Sequence, residues 1–362
     1  MKVGVLGAGQ LGRMLALAGY PLGLEFVFYD ADSQACAGQI GKLIVGEFDN
    51  KERLREFAKQ VDVVTLEFEN IPLQTLQYVA QFVPVYPDPD AVRLAQDRVI
   101  EKNYFRSLGI ATPEFYAVNS AADLAEVTAG YSGTMIIKSR RFGYDGKGQR
   151  LFDNTSSVDE LWESLGCVPL IAEQCVTFMR ELSIVAARNK SGEICFYSVS
   201  ENQHTCGILR QSRAKLQDPM QEQAQSYAAQ VLNNLDYVGA IAFEFFDCDG
   251  QLLANEFAPR VHNSGHWTIE GAKTSQFENH LRAILDWPLG DAAVRTPCVM
   301  HNIVGVMPDM ARILELSDVH IHHYGKAPRP GRKIGHITIC NSQAQTQIVE
   351  NILNSDVNTI RA

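Results

Sequence analysis

The sequence lacks the features that would point to a membrane or secreted protein. Within its 362 residues, the longest uncharged stretch near the start, residues 14–24, is far shorter than the ~20 apolar residues of a spanning helix. No small-residue cleavage site follows an apolar core at this end of the chain. We therefore expect neither a membrane span nor a signal peptide, and we expect a cytoplasmic protein.

Cysteine pairs and an excess of positive charge are also missing. The eight cysteines are scattered singly, without C-x-x-C spacing, so we interpret them as reduced thiols rather than as a disulfide or zinc framework. The 32 Lys and Arg against 42 Asp and Glu give a net charge of −10, which argues against a general nucleic-acid binder because phosphate backbones require a basic face. The 46% of hydrophobic residues is ordinary for a globular protein.

The chain opens with a strand, a glycine-rich loop, a helix and a second strand. The loop is Gly7-Ala-Gly-Gln-Leu-Gly12, and the second strand ends at Asp30. Such a unit implies a parallel sheet, so we predict a Rossmann-like domain over residues 1–95. Its predicted elements are strands at 2–6, 25–29, 61–68 and 83–86 and helices running to 18 and from 51 to 60.

Two more domains are predicted after the Pro87-Asp-Pro-Asp90 cluster, which a long helix at about 91–108 follows. Residues 96–295 form the second domain, with a small lid at about 113–175, and residues 296–362 form a smaller β-rich third domain. The predicted elements are strands at 135–139, 170–176, 181–187 and 194–199, a capping box at 157–160, helices at 161–165, 219–235 and 276–285, and a hairpin with strands at 240–246 and 251–257.

The first loop is compatible with more than one ligand. Its glycines let backbone N–H groups approach an anion at a helix N-terminus. Asp30 lies 18 residues after Gly12, about where a dinucleotide-binding fold carries its ribose-binding acid. A phosphate or ribose-phosphate site, a nicotinamide dinucleotide site and a purely structural turn all remain open on this motif alone.

A second cluster of charge follows the strand that ends near Lys138. The loop after it carries three glycines and further cations up to Gln149, which suits a loop that closes over a polyphosphate and expels water. Arg98 and Lys102, four residues apart on the long helix, share one face. That face is either part of the same site or a solvated charged surface. The run from Glu173 to Val176 is either a plain strand edge or an adenine-binding segment.

Two carboxylates in the predicted hairpin stand out. Counting outward from the turn near Asp249 places Glu244 and Glu256 almost opposite each other. Two like charges there are destabilising unless a cation lies between them, and oxygen ligands in phosphate company favour Mg²⁺. Because both strands are otherwise strongly apolar, two solvent-facing acids are a less satisfactory explanation.

Two loops complete the candidate site. The run from Asn255 to Trp267 concentrates Arg, two His, Asn and Ser around Pro and Gly directly after a strand, which is typical of a ligand-binding loop. The run from Lys326 to His336 holds four cations between prolines and glycines. It is either a basic surface loop or a second anion site.

Together these runs resemble the ATP-grasp superfamily, and within it the N5-carboxyaminoimidazole ribonucleotide synthetases of purine synthesis. The runs that carry the likeness cover nearly the whole chain in the family's order: Gly7–Met14, Phe142–Gln149, Asn255–His266 and Arg329–His336. The resemblance implies an α/β protein, with an ATP-grasp fold preceded by a Rossmann-like parallel-sheet domain and followed by a small β-rich C-terminal domain.

The resemblance also implies a distribution of site residues. For ATP these are Arg98, Lys138, Gly143, Tyr144, Asp145, Gly146, Lys147, Gly148, Gln149, Glu173, Gln174, Cys175, Val176, Glu181, His204, Asn255 and Glu256. For the ribonucleotide and bicarbonate they are Gly9, Gln10, Leu11, Glu67, Glu69, Tyr144, Asp145, Lys147, Arg260, His262, Asn263, Ser264, Lys326 and Arg332. The implied catalytic residues are Arg260, His262, Asp145 and Lys147.

The implied metal is Mg²⁺ on Glu244 and Glu256. Many superfamily members carry Asn two residues after the second Glu, where this chain has Ala258, so Asn255 or water would complete the site. The implied reaction is the carboxylation of 5-aminoimidazole ribonucleotide with ATP and bicarbonate through carboxyphosphate. Asp145 and His262 are both candidates to accept the amine's proton, and a homodimer and a downstream mutase are the implied partners.

Three other functions compete with this interpretation. A nicotinamide-dependent dehydrogenase would use the first loop and Asp30, but it leaves the hairpin carboxylates and both basic loops unexplained. A non-catalytic phosphometabolite-binding protein would not need a carboxylate pair beside a closing cationic loop. Another ATP-grasp carboxylate–amine ligase remains possible, although the His262-Asn-Ser264 run argues against a formate-using or amino-acid-using enzyme.

Overall fold

The computed structural model of the protein describes residues 1–143, 146–153 and 157–359, with side chains described up to residue 353. Two predicted site residues, Tyr144 and Asp145, lie outside the described residues. None of the helices within those ranges combines the length and the apolar character that crossing a bilayer requires.

The strands alternate with helices over the N-terminal domain and then dominate the rest of the chain. They are β1 (Lys2–Leu6), β2 (Glu25–Asp30), β3 (Lys42–Val45), β4 (Val63–Leu66), β5 (Phe115–Val118), β6 (Met135–Ser139), β7 (Gln149–Phe152), β8 (Leu170–Gln174), β9 (Arg180–Arg188), β10 (Ile194–Phe196), β11 (Ser200–Thr205), β12 (Ile208–Ala214), β13 (Gly239–Cys248), β14 (Gln251–Ala258), β15 (Cys298–Val304), β16 (Val319–His323) and β17 (Lys333–Cys340).

The helices connect and cover these strands. They are α1 (Gln10–Gly19), α2 (Lys51–Ala58), α3 (Leu73–Val79), α4 (Pro89–Ala95), α5 (Arg98–Ser107), α6 (Ala121–Ala129), α7 (Val158–Ser164), α8 (Gln221–Asn234), α9 (Thr268–Gly271), α10 (Gln276–Ile284), α11 (Met310–Leu314) and α12 (Gln343–Thr359), with short 3₁₀ turns at Tyr20–Leu22, Cys36–Gln39 and Asn263–Gly265.

The N-terminal domain is a four-stranded parallel sheet in the order β3-β2-β1-β4. The predicted Rossmann-like arrangement is thereby confirmed. Gly7, at the turn from β1 toward α1, has φ = +92°, and a Cβ added there would lie 2.8 Å from Cβ of Glu67. Only glycine satisfies both the backbone angle and the close approach. α1 buries Leu15 against Phe277 and Leu281 of α10, so this domain shares its core with the next one.

The long helix predicted at 91–108 is wrong, because the structure has two helices, α4 and α5. Asp97 lies between them and its carboxylate accepts hydrogen bonds from the N–H groups of Val99 and Ile100. A side chain that satisfies free N–H groups in this way starts a new helix rather than continuing the previous one. The same carboxylate binds Arg140 at 3.0 Å, which fixes the start of the basic loop beside α5.

The lid is a separate antiparallel sheet in the order β5-β8-β6-β7. It has its own core, in which Val118, Ile137 and Leu170 pack against Leu124 of α6 and Leu161 of α7. The N-cap of the predicted capping box is present, because Ser157 accepts a hydrogen bond from the Glu160 N–H. This sheet carries Lys138 at the end of β6 and Glu173 near the end of β8.

A nine-stranded sheet forms the centre of the molecule. Its order is β14-β13-β9-β11-β12-β15-β17-β16, with β10 paired to β9. The strands of the third domain therefore do not form a sheet of their own. They extend the sheet of the second domain through the antiparallel pair β12–β15, which fixes the basic loop between β16 and β17 relative to the hairpin β13–β14.

Candidate active site

The two predicted hairpin carboxylates face each other across β13 and β14. Glu244 and Glu256 are direct partners in the register, and a β-bulge follows, where Phe245 pairs with Ala254 and leaves Asn255 as the extra residue. The bulge lets Asn255 and Glu256 both lie outside the core that buries Ala254. The Oδ1 atom of Asn255 is buried and has no hydrogen-bond partner in the described part of the chain.

The charges around this pair are uneven. Arg98 Nη1 lies 2.5 Å from Glu256 Oε2, and His262 Nε2 lies 3.4 Å from Glu244 Oε1. Burial, with the Glu256 charge adding to it, raises the pKa of Glu244 to about 7. Burial also acts to raise the pKa of Glu256, but the Arg98 guanidinium outweighs it and holds that pKa at about 2. One carboxylate therefore stays ionised beside a cation, while the other is protonated easily.

A second charged cluster lies in the lid and α5. Glu173 Oε2 is 3.0 Å from Lys138 Nζ and 3.5 Å from Lys102 Nζ, and Lys102 also donates to the Asn255 carbonyl at 2.9 Å. Burial acts to raise the pKa of Glu173, but the charges of the two lysines have the larger effect and lower it to about 2. The other oxygen of Glu173, Oε1, is buried and has no hydrogen-bond partner among the described residues.

Lys102 is completely buried. The alternative of a solvated charged face on this helix is therefore wrong, and the shared face of Arg98 and Lys102 points into the site. Glu101, between them in sequence, is buried too, and its carboxylate accepts the Phe257 N–H at 2.6 Å. Sequence reasoning missed Glu101, although a carboxylate within the apolar run of an amphipathic helix is a signal for a buried role.

The glycine-rich loop runs from the lid toward the central sheet. Gly146 and Gly148 both have positive φ angles, and a Cβ added at Gly146 would lie 3.0 Å from the carbonyl oxygen of Cys206, in the β11–β12 turn. Lys147 lies between these glycines, and Gln149 begins β7. On the facing strands, Glu181 pairs with His204. The loop and this ion pair therefore border the same side of the hairpin carboxylates.

The remaining lid residues proposed for ATP lie where β8 ends. Gln174 is the last residue of the strand, Cys175 is exposed and its N–H donates to the Thr134 carbonyl, and Val176 follows. Gly143 lies at the other end of the lid, where its carbonyl accepts a hydrogen bond from Arg98 at 3.3 Å.

Residues from the two ends of the chain meet at the first glycine loop. The Leu11 N–H donates to Glu67 Oε1 at 3.0 Å, and Lys326 donates to the side chain of Gln10. A Cβ added at Gly9 would lie 2.5 Å from the same Glu67 oxygen. Burial raises the pKa of Glu67, although Lys326 opposes the shift. The structure thus brings the predicted substrate residues of the N- and C-terminal domains together, with Glu67 at their centre.

Asp30 serves the loop itself. One carboxylate oxygen accepts the Ala8 N–H at 2.7 Å and the other accepts the Asp32 N–H at 3.0 Å. Both oxygens therefore hold the backbone of the loop. This structural role accounts for Asp30 without a dinucleotide ligand.

The loop after β14 is held from several directions. Arg260 binds Glu69 of the N-terminal domain at 2.5 Å. Gln276 accepts the His262 N–H at 2.9 Å and donates to the His262 carbonyl at 2.7 Å, while Asn263 exchanges amide hydrogen bonds with Asn302 of β15. Sequence reasoning missed Gln276 and Asn302, which lie far from the loop in the chain.

His262 and Ser264 differ in exposure. The side chain of His262 is 15% exposed and lines a cleft, whereas Ser264 is fully buried. Burial lowers the pKa of His262 to about 3, and the nearby Arg260 adds to the shift. His262 is therefore neutral at physiological pH. Arg332 is partly buried and donates to the Ala327 carbonyl at 3.3 Å.

A cleft lies beside Arg98, Glu256 and His262. It is lined by residues of the N-terminal domain, the α4–α5 junction, the start of the lid loop and the segment after Glu256: Glu69, Asn70, Ala95, Gln96, Arg98, Glu101, Arg140, Phe142, Gly143, Glu256, Phe257, Ala258, Arg260 and His262. Ionised side chains of both signs dominate it, which is typical of a site for phosphorylated substrates.

Known proteins match the chain along its whole length. The family models that match are the ribonucleotide synthetase preATP-grasp domain at residues 1–96, the ATP-grasp domain at 103–277 and the phosphoribosylaminoimidazole carboxylase C-terminal domain at 298–348. The N5-carboxyaminoimidazole ribonucleotide synthase of Pseudomonas aeruginosa is 49% identical over 348 residues, which are 96% of this chain and 97% of that protein. The chain belongs to the N5-carboxyaminoimidazole ribonucleotide synthase family.

Solved structures of this family agree with the fold. The Thermus thermophilus synthetase has a TM-score of 0.89 at 48% identity, covering 94% of this chain and 93% of its own. The Aspergillus clavatus synthase, solved with ADP and 5-aminoimidazole ribonucleotide, has a TM-score of 0.90 at 33% identity, covering 98% of each chain. The protein is thus an ATP-grasp ligase, as the motifs predict, and the dehydrogenase alternative is wrong.

Proposed function

We propose that the protein carboxylates 5-aminoimidazole ribonucleotide on its exocyclic amine, with ATP and bicarbonate as co-substrates, and releases ADP and phosphate. The observation that carries this proposal is the carboxylate pair Glu244 and Glu256 beside Arg98, with the buried Lys102 and Lys138 held nearby by Glu173. The chain matches the family over 96% of its length. That set of charges suits phosphoryl transfer, in which positioning and charge neutralisation supply most of the catalysis.

ATP would bind between the lid sheet and the central sheet. Lys138 would contact its phosphates, the segment Glu173–Val176 would hold the adenine, and Glu181 with His204 would lie by the ribose. The ion pair between Lys138 and Glu173 supports this role, because it orients the lysine in a buried position. The loop from Gly143 to Gln149 would close over the phosphates.

The residues present fit a Mg²⁺ ion. Glu244 and Glu256 face each other, and the Oδ1 atom of the adjacent Asn255 is buried without a hydrogen-bond partner in the described part of the chain, so it is free to act as a further oxygen donor. Mg²⁺ commonly takes one or two carboxylates and completes its shell with substrate phosphates and water, so two carboxylates with one amide suffice. The ion would supply charge neutralisation for the phosphates.

The ribonucleotide would lie between the first glycine loop and the loop after β14. Its phosphate would meet Gly9–Leu11 with Lys326 and Arg332, and its ribose would meet Glu67 or Glu69. The bonds of Glu67 to the Leu11 N–H and of Glu69 to Arg260 support their place at this border. Tyr144, Asp145 and Lys147 would reach the imidazole side of the substrate.

Two bond changes make up the reaction. A bicarbonate oxygen attacks the γ-phosphorus, the bond to the ADP oxygen breaks, and carboxyphosphate forms. The amine nitrogen then bonds to the carboxyl carbon, either of carboxyphosphate or of CO₂ released from it, while phosphate leaves and the nitrogen gives up a proton. Arg260, His262, Asn263 and Ser264 would gather the carboxylating group. A closed site protects carboxyphosphate from water.

Phosphate release from ATP tests the proposal. We expect release in the presence of Mg²⁺ and bicarbonate to be strongly stimulated by 5-aminoimidazole ribonucleotide and lost in Glu256→Ala. Lys273→Met, which changes an exposed ion pair with Asp291, is the control and should keep full activity. Stimulation by formate or an amino acid instead of the ribonucleotide with bicarbonate would assign the chain to another ATP-grasp reaction.

Three further expectations accompany this function. The carboxylated amine is a labile product, so we propose that a mutase consumes it. The likeness to the family supports a homodimer, which sedimentation of the native protein would test. The eight unpaired cysteines fit a reducing compartment, so we propose a cytoplasmic location.

A further inference from the structure

A chain of buried polar side chains lies behind His262, away from the cleft. It consists of Asn202 on β11, Ser183 on β9 and Ser264 in the loop, which are between 0 and 5% exposed. The amide nitrogen of Asn202 lies 2.9 Å from Ser183 Oγ. Ser183 Oγ lies 2.8 Å from Ser264 Oγ, and Ser264 Oγ lies 2.9 Å from His262 Nδ1. Every neighbouring pair in this chain is therefore within hydrogen-bond distance.

The direction of these hydrogen bonds follows from one backbone group. The N–H of Ser264 points at His262 Nδ1 at 3.3 Å, and a backbone N–H only donates. Nδ1 must therefore accept, so the hydroxyl of Ser264 donates to it as well. That hydroxyl has one proton, so it accepts from Ser183, and Ser183 in turn accepts from the amide of Asn202.

The other end of the chain is consistent with the same direction. Ser212 Oγ lies 2.8 Å from Asn202 Oδ1 and 2.9 Å from the Ser264 carbonyl, so its single proton is given to one of these two acceptors. The NH₂ group of Asn202 faces Ser183 because the Ser183 proton is already given to Ser264. Ser212 is fully buried, so solvent does not compete for the amide. The chain therefore begins at a group that can donate and ends at a group that must accept.

The consequence for His262 concerns the ring atom that faces the carboxylates. With Nδ1 accepting, a neutral imidazole carries its proton on Nε2. Nε2 lies 3.4 Å from Glu244 Oε1, and His262 lines the cleft. A ring nitrogen that already holds a proton donates a hydrogen bond to an anion and cannot accept the proton of an amine.

We propose that Asn202 and Ser183 are positioning residues that fix His262 as an Nε2–H donor toward the carboxylating group. The identity of the carboxylating group rests on the proposed function. The tautomer of His262 rests on the hydrogen-bond chain alone. It assigns His262 to binding the anion and excludes it as the acceptor of the amine's proton. Ser264 takes part through its buried hydroxyl, which orients the ring.

The tautomer can be measured without any substrate. In the native protein labelled with ¹⁵N-histidine, we expect the His262 signals, identified by their loss in His262→Gln, to show a protonated Nε2 and an unprotonated Nδ1. In Asn202→Asp the amide donor becomes an acceptor, which draws the Ser183 proton the other way and turns the Ser264 hydroxyl from Nδ1 toward Ser183. Only the longer bond from the Ser264 N–H, at 3.3 Å, then holds Nδ1 as an acceptor. We expect the His262 signals to move toward a mixture of tautomers. A native ring protonated at Nδ1 would overturn the proposal.

Kinetics test the positioning role. For Ser183→Ala we expect kcat for carboxylation to fall roughly 10- to 100-fold, with the KM for ATP unchanged and more phosphate released per carboxylated product. Ser183→Thr keeps the hydroxyl and should restore most of the activity. The matched control is Ser200→Ala, which changes a buried serine directly opposite Ser183 that binds Trp267 instead.

The outcomes separate this inference from the proposed function. Equal kcat losses in Ser183→Ala and Ser200→Ala, or equal losses in Ser183→Ala and Ser183→Thr, would show a merely structural role and overturn the positioning proposal. If the native protein fails to carboxylate the ribonucleotide at all, the proposed function fails, while the NMR measurement still decides the tautomer. If Ser183→Ala does not fold, Asn202→Asp and the native spectrum decide.

Discussion

Replacing Lys102 with methionine should destabilise the protein far more than a surface lysine change does. Lys102 is fully buried, and its ammonium group donates to the Asn255 carbonyl at 2.9 Å and lies 3.5 Å from Glu173. Methionine fills a similar volume, so the change removes the charge and the hydrogen bond with little loss of packing.

The magnitude follows from these two contacts. Removing one partner of a buried ion pair costs about 3–5 kcal/mol, but Glu173 keeps Lys138 at 3.0 Å, which reduces this figure. A hydrogen bond from a charged group is worth about 1.5–3 kcal/mol. We therefore expect the free energy of unfolding to fall by about 2–4 kcal/mol in Lys102→Met.

Urea unfolding followed by tryptophan fluorescence measures this loss. The matched control is Lys273→Met, the same change at an exposed ion pair with Asp291, for which no measurable loss is expected. Adding Glu173→Gln to Lys102→Met should restore part of the stability, because it removes the carboxylate that was left with one cation fewer. A midpoint equal to that of the control, or strictly additive losses in the double variant, would refute the reasoning.

Three further predictions concern other parts of the structure. Burial lowers the pKa of His280 to about 4, so its contribution to stability is complete above pH 6.5 and lost as the pH falls toward 4. We expect His280→Gln to remove about 3 kcal/mol of the pH dependence in urea unfolding between pH 7 and 4, and an unchanged slope would contradict this. In Gly9→Ala the added Cβ would approach the Glu67 carboxylate to 2.5 Å and should displace it. We expect the KM for the ribonucleotide to rise and the KM for ATP to stay unchanged. Equal effects on both KM values would argue against a ribonucleotide site at this loop. Gln276→Leu removes both hydrogen bonds to the His262 backbone. We expect kcat, measured as phosphate release, to fall roughly tenfold or more. A kcat equal to that of the native protein would contradict this prediction.

Elements with local signals were predictable from the sequence. β1 agrees in both bounds with the predicted strand at 2–6, and the hairpin β13–β14 agrees because its turn residues and its two apolar runs are adjacent in the chain. Counting from the turn brings Glu244 and Glu256 to within one residue of each other, because strand pairing in a hairpin follows from its length, and the bulge makes them direct partners. The role of Asn255 could not be counted, because the bulge shifts the register by one residue.

Long-range relations were not predictable in the same way. β11 and β12 received no prediction because residues 200–205 are all polar and residues 210–213 are polar as well, so no apolar run marks a strand. α12 received none because its sequence has only a weak amphipathic pattern. The pairing of Lys102 with Glu173 joins a helix to a strand 71 residues away. A sequence shows which residues carry charge, but only the fold determines whether a charged side chain is solvated at the surface or buried in a binding site.

The pairing of β12 with β15 has a consequence for how the chain can be divided. β15–β17 lie at one end of the central sheet, and β12 depends on β15 for the partners of its outer edge at Gln211, Ser212 and Arg213. A chain ending before residue 298 would leave that edge open, and open edges recruit strands from other molecules. Shortened versions should therefore self-associate, and the last domain cannot be exchanged between relatives as an independent cassette.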